Sequence, residues 1–248
     1  MKLFQMVIIT ILLCISSLFS QVNTEAMRNQ QETPGINQNL DFSFVYISGN
    51  SDIMILNGNY RIDFHSKSKW HGFFVMKYDR AFEKSKDDFT NKGFGHLRTL
   101  NHFRPHIDIE FFIQKEFNYY LELENRELIG GVLRFIPVKQ FSIGIGVMNE
   151  TEIYQNTLLE EQNFIKSTNY INYSVQPMPN VTIKNILYYQ FKLKEMDHYR
   201  ILWDGQLSFK GADWLSFYIN YLYRYDVSDI NSNGSSYFEI SNGLGFHF

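Results

Sequence analysis

Residues 236–248 read SYFEISNGLGFHF. Alternate positions carry Phe238, Ile240, Leu244, Phe246 and Phe248, interrupted only by Asn242. Between them stand Tyr237, Glu239, Ser241, Gly243, Gly245 and His247. A period of two puts one set on each face of a β-strand. A run that keeps this alternation up to an aromatic residue is expected to be held in a sheet, not left as a frayed polar tail.

The same alternation recurs upstream. Strands are expected at about 39–48, 53–65, 70–79, 93–103, 107–119, 127–136, 141–148, 168–175, 181–193, 198–209, 214–226 and 237–248. One face of each is apolar, as in Leu40/Phe42/Phe44/Tyr46, Ile107/Ile109/Phe111/Ile113 and Phe141/Ile143/Ile145/Val147. The other is polar, as in Asp108/Glu110/Gln114/Glu116/Asn118 and Arg200/Asp204/Gln206/Ser208. Of 248 residues 44% are hydrophobic and 17% aromatic, a mixture that favours strands. The net charge of −3 supplies no basic field for nucleic acid.

The opening MKLFQMVIITILLCISSLFSQ combines Lys2 with an apolar run too short to span a bilayer. Residues 1–20 are therefore expected to be a cleaved export signal, 21–38 a flexible lead, and 39–248 the folded domain. Leu13 before Cys14 argues against a lipoprotein, and no other cysteine exists to form a disulfide after export. An exported chain of this kind is either soluble or a closed membrane barrel, since open sheets leave backbone groups unsatisfied in lipid.

Three features favour a transmembrane antiparallel up-and-down β-barrel of about 12 strands. Even-numbered connections are short (SKSK, RPH, PVKQ, QPMPN, KGAD), whereas several odd ones are long, including 149–167. Pro105, Pro137, Pro177 and Pro179 all fall at the short-turn end, where no ladder donor is needed. Aromatic residues on the apolar faces gather near both strand ends. Phe64, Trp70, Phe135, Phe141, Phe209, Phe246 and Phe248 lie near the short turns, and Tyr46, Tyr78, Tyr119, Tyr199 and Phe238 near the loops. Two such girdles suit the headgroup levels of a bilayer. Inward charges are expected to line the lumen at Arg61, Asp63, Asp108, Glu110, Glu116, Arg134, Arg200, Asp204, Arg224 and Glu239.

HLRTLNHF (96–103), FFIQKEFN (111–118), RELIGGVLRF (126–135) and LSFKGADWLSFYINYLYRYD (207–226) resemble a family of salt-induced bacterial outer-membrane barrels of unknown function. The resemblance runs over about 40–248 and implies a Gram-negative outer membrane, but no catalytic residues. The closing aromatic similarly resembles the signal read by barrel-assembly machinery.

Catalytic, cofactor and metal sites are expected to be absent. Of the seven histidines only His198 is placed at the loop rim, and no serine motif accompanies it. His102 and His106 lie too far apart along a strand to share an ion without a sharp turn. Glu150, Glu152, Glu160 and Glu161 are expected in a solvated outer loop, where carboxylates can also meet divalent cations. The expected function is a structural or narrow solute-permeable envelope component, which the resemblance links to osmotic conditions. Its expected partners are membrane lipid, lipopolysaccharide and the assembly machinery, and the chain is expected to be a monomer. A lipid-modifying hydrolase or a soluble secreted β-sandwich binding protein are the alternatives.

Overall fold

The computed structural model describes residues 34–48, 52–83, 88–119, 122–155, 162–212, 214–227 and 235–246. Twelve strands run in chain order: β1 (Gly35–Ile47), β2 (Ile53–His65), β3 (Trp70–Glu83), β4 (Asp88–Arg104), β5 (Ile107–Asn118) and β6 (Leu123–Val138), followed by β7 (Phe141–Tyr154), β8 (Gln162–Met178), β9 (Val181–Lys192), β10 (Glu195–Ala212), β11 (Leu215–Asp226) and β12 (Ser235–Phe246). Each pairs antiparallel with its neighbours in sequence, which is up-and-down topology.

The alternation sets the two faces. Along β5 the side chains of Asp108, Glu110, Phe112, Gln114, Glu116 and Asn118 are buried, and the intervening Phe111 and Ile113 are exposed. The sheet curls so that its buried face becomes a barrel interior. Arg200 of β10 reaches Glu150 of β7 at 2.6 Å, which brings strands three apart into contact across that interior. Among the described residues no ladder joins β12 to β1, and every residue of β1 is exposed. These two strands form the free edges of the curled sheet.

Several strands are longer than their apolar stretches. β4 begins at Asp88, β7 continues to Tyr154, β8 starts at Gln162, and β1 starts at Gly35. Hairpin ladders continue past the apolar band because backbone pairing does not depend on side-chain polarity. Of the stretch expected as the longest loop, 149–167, residues 149–154 belong to β7 and 162–167 to β8. The turn end stays tight, with connections at 66–69, 105–106, 139–140, 179–180 and 213–214.

Pro105 and Pro179 sit in those turns, and His106 takes φ 67 beside Pro105. Pro137 and Pro177 do not. They fall within β6 and β8, between ladder positions where the register shifts (Phe135/Val138 and Val175/Met178). A bulge leaves a donor unpaired, so the missing proline N–H costs no ladder bond there.

The middle of the interior is packed with apolar side chains: Phe112, Leu128, Val132, Met148, Tyr170, Ile186, Tyr188 and Leu202, joined by Leu222. Inward glycines make room for them. A Cβ at Gly144 would strike the ring of Tyr170, and one at Gly130 would strike Phe112 and Met148.

Candidate functional site

The interior has layers along the barrel axis. Nearest the loop end is an ion cluster. Arg126 of β6 contacts Glu116 of β5 at 2.8 Å, and Glu150 and Glu152 of β7 at 2.7 and 3.2 Å. Arg200 of β10 joins Glu150 at 2.6 Å and Glu152 at 3.1 Å, and also pairs with Asp226 of β11. Lys166 of β8 lies 2.9 Å from Glu150. Arg224 is buried alongside. Four cations (Arg126, Lys166, Arg200, Arg224) thus face four carboxylates (Glu116, Glu150, Glu152, Asp226), all of them buried. A balanced set offsets desolvation costs that would be several kcal/mol for each ion alone.

Beneath the ions lies the apolar layer. Between the two is a cavity of about 30 Å³, lined by Arg98, Gln114, Arg126, Thr168 and Gln190 among others. That is room for about one water molecule. Below, Arg98 meets Glu110 at 3.2 Å, and Arg134 lies 3.9 Å from both Asp108 and Glu110 while donating to Ser142 Oγ at 3.1 Å.

At the turn end three histidines from adjacent strands come together. His65 Nδ1 and His71 Nδ1 are 2.8 Å apart, the rings of His71 and His102 are 4.8 Å apart, and His102 Nδ1 lies 2.6 Å from Asp108 Oδ1. His106 faces away from this group and bonds Ile136 O at 2.8 Å. Among the described residues no three His, Cys, Asp or Glu side chains are arranged to hold a metal ion. At the loop end His198 Nδ1 has Lys192 Nζ and Glu195 Oε2 as neighbours, each at 3.4 Å.

Of the charges expected to line the lumen, Asp63, Asp108, Glu110, Glu116, Arg200 and Arg224 are buried. Arg61, Arg134, Asp204 and Glu239 are half-buried. Arg61 and Asp63 pair with each other, two apart on β2. Glu116, Arg200 and Arg224 belong to the ion cluster, and Asp108, Glu110 and Arg134 meet in the layer below it.

Glu150 and Glu152 depart from expectation. They are not loop residues: β7 carries them inward, and Glu150 has no solvent exposure. Their alternation with Met148 continued the inward set of β7 and was the signal available in the sequence. Lys166, likewise expected in the loop, is the inward residue of β8 beside them. Glu160 and Glu161 lie outside the described residues.

On the outer face Phe64, Trp70, Phe135, Phe209, Tyr46, Tyr78, Tyr119 and Phe238 are exposed, and Phe141 and Tyr199 are half-buried. Near the loop end the rings of Tyr189, Tyr199 and Tyr225 form a file, with centroids 5.7 and 5.9 Å apart. Phe246 belongs to β12, and Phe248 lies outside the described residues. Between the ring-rich ends the outer face is mostly aliphatic, with Ile113, Ile129, Leu133, Ile145 and Val147 all exposed and Phe111 among them.

Comparison with family models finds none that matches, and comparison with curated proteins finds none. Among solved structures, a NanC porin in a rhombohedral crystal form is similar, with TM-score 0.49 and 12% identity over 78% of this chain and 94% of that one. A chain from a study of in-meso crystallization of membrane proteins has TM-score 0.41 and 11% identity, over 86% of this chain and 82% of that one.

Proposed function

We propose that this protein is an outer-membrane β-barrel of a Gram-negative bacterium, exported through the periplasm, that acts as a narrow channel for small solutes. The observation that carries this reading is an inverted distribution of side chains. Arg126, Glu110 and Glu150 are among the most deeply buried residues, while Ile145, Ile129 and Leu133 are exposed. A water-soluble sandwich would reverse this, because large contiguous apolar surfaces are rare on soluble monomers. A lipid-facing apolar band around a polar interior reconciles both.

The balanced ion cluster and the apolar layer make the interior narrow, and keep most of its charges engaged in structure. Twelve strands enclose a lumen between the filled eight-stranded and the wide sixteen-stranded sizes. A small conductance is the consequence. The exposed Lys115–Glu127 pair on the outer face (2.7 Å) stands where lipid or lipopolysaccharide headgroups would meet it. The resemblance to salt-induced barrels adds a role under osmotic stress. Growth of a deletion strain at high salt tests that part.

The direct test is single-channel recording of the refolded protein in a planar bilayer. A steady conductance smaller than that of a sixteen-stranded porin is expected. A folded but silent barrel would make the ion cluster a structural plug and would overturn the channel reading.

A further inference from the structure

Three imidazoles gather at the turn end of the interior. His65 and His71 stand directly opposite each other on β2 and β3, flanking the turn at 66–69. Their ring centroids are 5.0 Å apart and their Nδ1 atoms 2.8 Å apart. His102 of β4 lies beyond, its ring 4.8 Å from that of His71. Backbone bonds run beside the rings: Ser66 N donates to Trp70 O at 3.1 Å, and His102 N to Lys69 O at 3.0 Å.

Two ring nitrogens at this distance form a hydrogen bond only when one carries a proton and the other offers its lone pair. A neutral imidazole can take either part. An imidazolium has a proton on both nitrogens and accepts nothing. The pair therefore holds while at least one ring is neutral and breaks when both are charged. His65 resists the second proton. The residue is buried, and its Nε2 has no hydrogen-bond partner among the described residues. Charging that ring in place would leave a buried cationic N–H unsatisfied.

The surrounding charges do not absorb the extra protons. β1 places Gly35 opposite His65, and Asp63, two residues earlier on β2, is paired with Arg61. β4 places Leu100 opposite His71. β5 supplies Asp108, whose Oδ1 lies 2.6 Å from His102 Nδ1 and whose Oδ2 lies 3.9 Å from Arg134 of β6. Lys67, Lys69 and Arg104 at this end are exposed and add only positive charge. His106 bonds Ile136 O instead. One carboxylate, shared with an arginine, thus serves three imidazoles. His102 takes it, and His65 and His71 are left without an anion of their own.

We propose that His65, His71 and His102 form a proton-operated latch at the turn end of the barrel, closed while the His65–His71 hydrogen bond is intact and released when both rings are protonated. A free imidazole gains its proton near about pH 6.5. Released, solvated rings take protons there, whereas the closed pair takes the last one at a penalty. The released state binds more protons, so closure is strongest at neutral pH and is lost as pH falls below about 6.5. On the outer-membrane reading the short turns face the periplasm, and the latch answers to the acidity of that compartment.

Amide hydrogen exchange of the full-length protein, refolded into lipid vesicles, tests this at about pH 7.5 and about pH 5. Rates are corrected for the intrinsic pH dependence of exchange. Protection of the Ser66 and His102 amides is expected to fall about tenfold or more, since one extra bound proton is worth about tenfold per pH unit. At the loop end Gln155 N bonds Glu122 O and Leu193 N bonds Ile165 O, and their protection should not change. His71→Gln should abolish the response, because an amide oxygen still accepts from a charged His65. His65→Gln combined with His71→Gln should do the same. Unchanged protection of Ser66 and His102 in the unmodified protein would overturn the latch, and so would an equal fall at both ends. A response that persists in the glutamine variants would overturn its assignment to this pair. No readout involves flux, so the outcome is independent of the channel reading.

Discussion

Arg126 holds carboxylates from both neighbouring strands at once, Glu116 on β5 and Glu150 and Glu152 on β7. Removing one side of such a set leaves buried charge uncompensated, and the penalty is not softened by water. Arg126→Met should lower stability by about 3–5 kcal/mol. Urea titration in lipid vesicles, followed by tryptophan fluorescence, checks it. Gly144 makes a second residue-scale case. An added Cβ there would overlap the ring of Tyr170, whereas one at Gly58 would meet nothing within 4 Å. Gly144→Ala should cost about 1–3 kcal/mol through overpacking, and Gly58→Ala should leave the urea midpoint nearly unchanged.

At the scale of the element, the two faces of a strand answer to different solvents. Ile145 on β7 is 64% exposed on the apolar outer face. Ser43 on β1 faces the opposite way, against Asn57. An arginine at Ile145 must shed its hydration in lipid, at a cost of about 2–4 kcal/mol if the site lies near the bilayer midplane. The same change at Ser43 should cost less than about 1 kcal/mol. Folding yield into vesicles, read by the heat-dependent shift in gel mobility, compares the two. Equal losses would show that the outer face does not meet lipid.

For the molecule as a whole the decisive question is the seam. Free strand edges present unpaired N–H and C=O groups, and lipid offers these no partner. The strands β1 and β12 are therefore expected to pair once the barrel is in a bilayer. Ser43→Cys combined in turn with Glu239→Cys, Ser241→Cys and Gly243→Cys tests this, since the chain after residue 20 contains no cysteine. Disulfides form only when Cα atoms lie about 4.4–6.8 Å apart. One pair should cross-link under mild oxidation in vesicles. Failure of all three, and of a wider scan along β12, would mean that the sheet stays open there.

Strand number, order of the faces and turn ends were legible in the sequence, because a period of two is a local property. Phe111 beside Glu110, or Ile145 beside Gly146, already states which residue points where. Strand length was not legible. The ladder of β7 and β8 runs beyond the apolar stretch, and its pairing of 148–152 with 162–166 places Glu150, Glu152 and Lys166 inside. Pro137 and Pro177 were misplaced for a related reason, since a bulge is a relation between two strands. The expected charges at Glu116, Arg200 and Arg224 could be named one by one. That they meet Arg126, Glu150 and Asp226 in one balanced cluster depends on how far the sheet curls. Alternation along the chain determines which face a side chain takes; curvature, a property of the whole sheet, decides which side chains then meet.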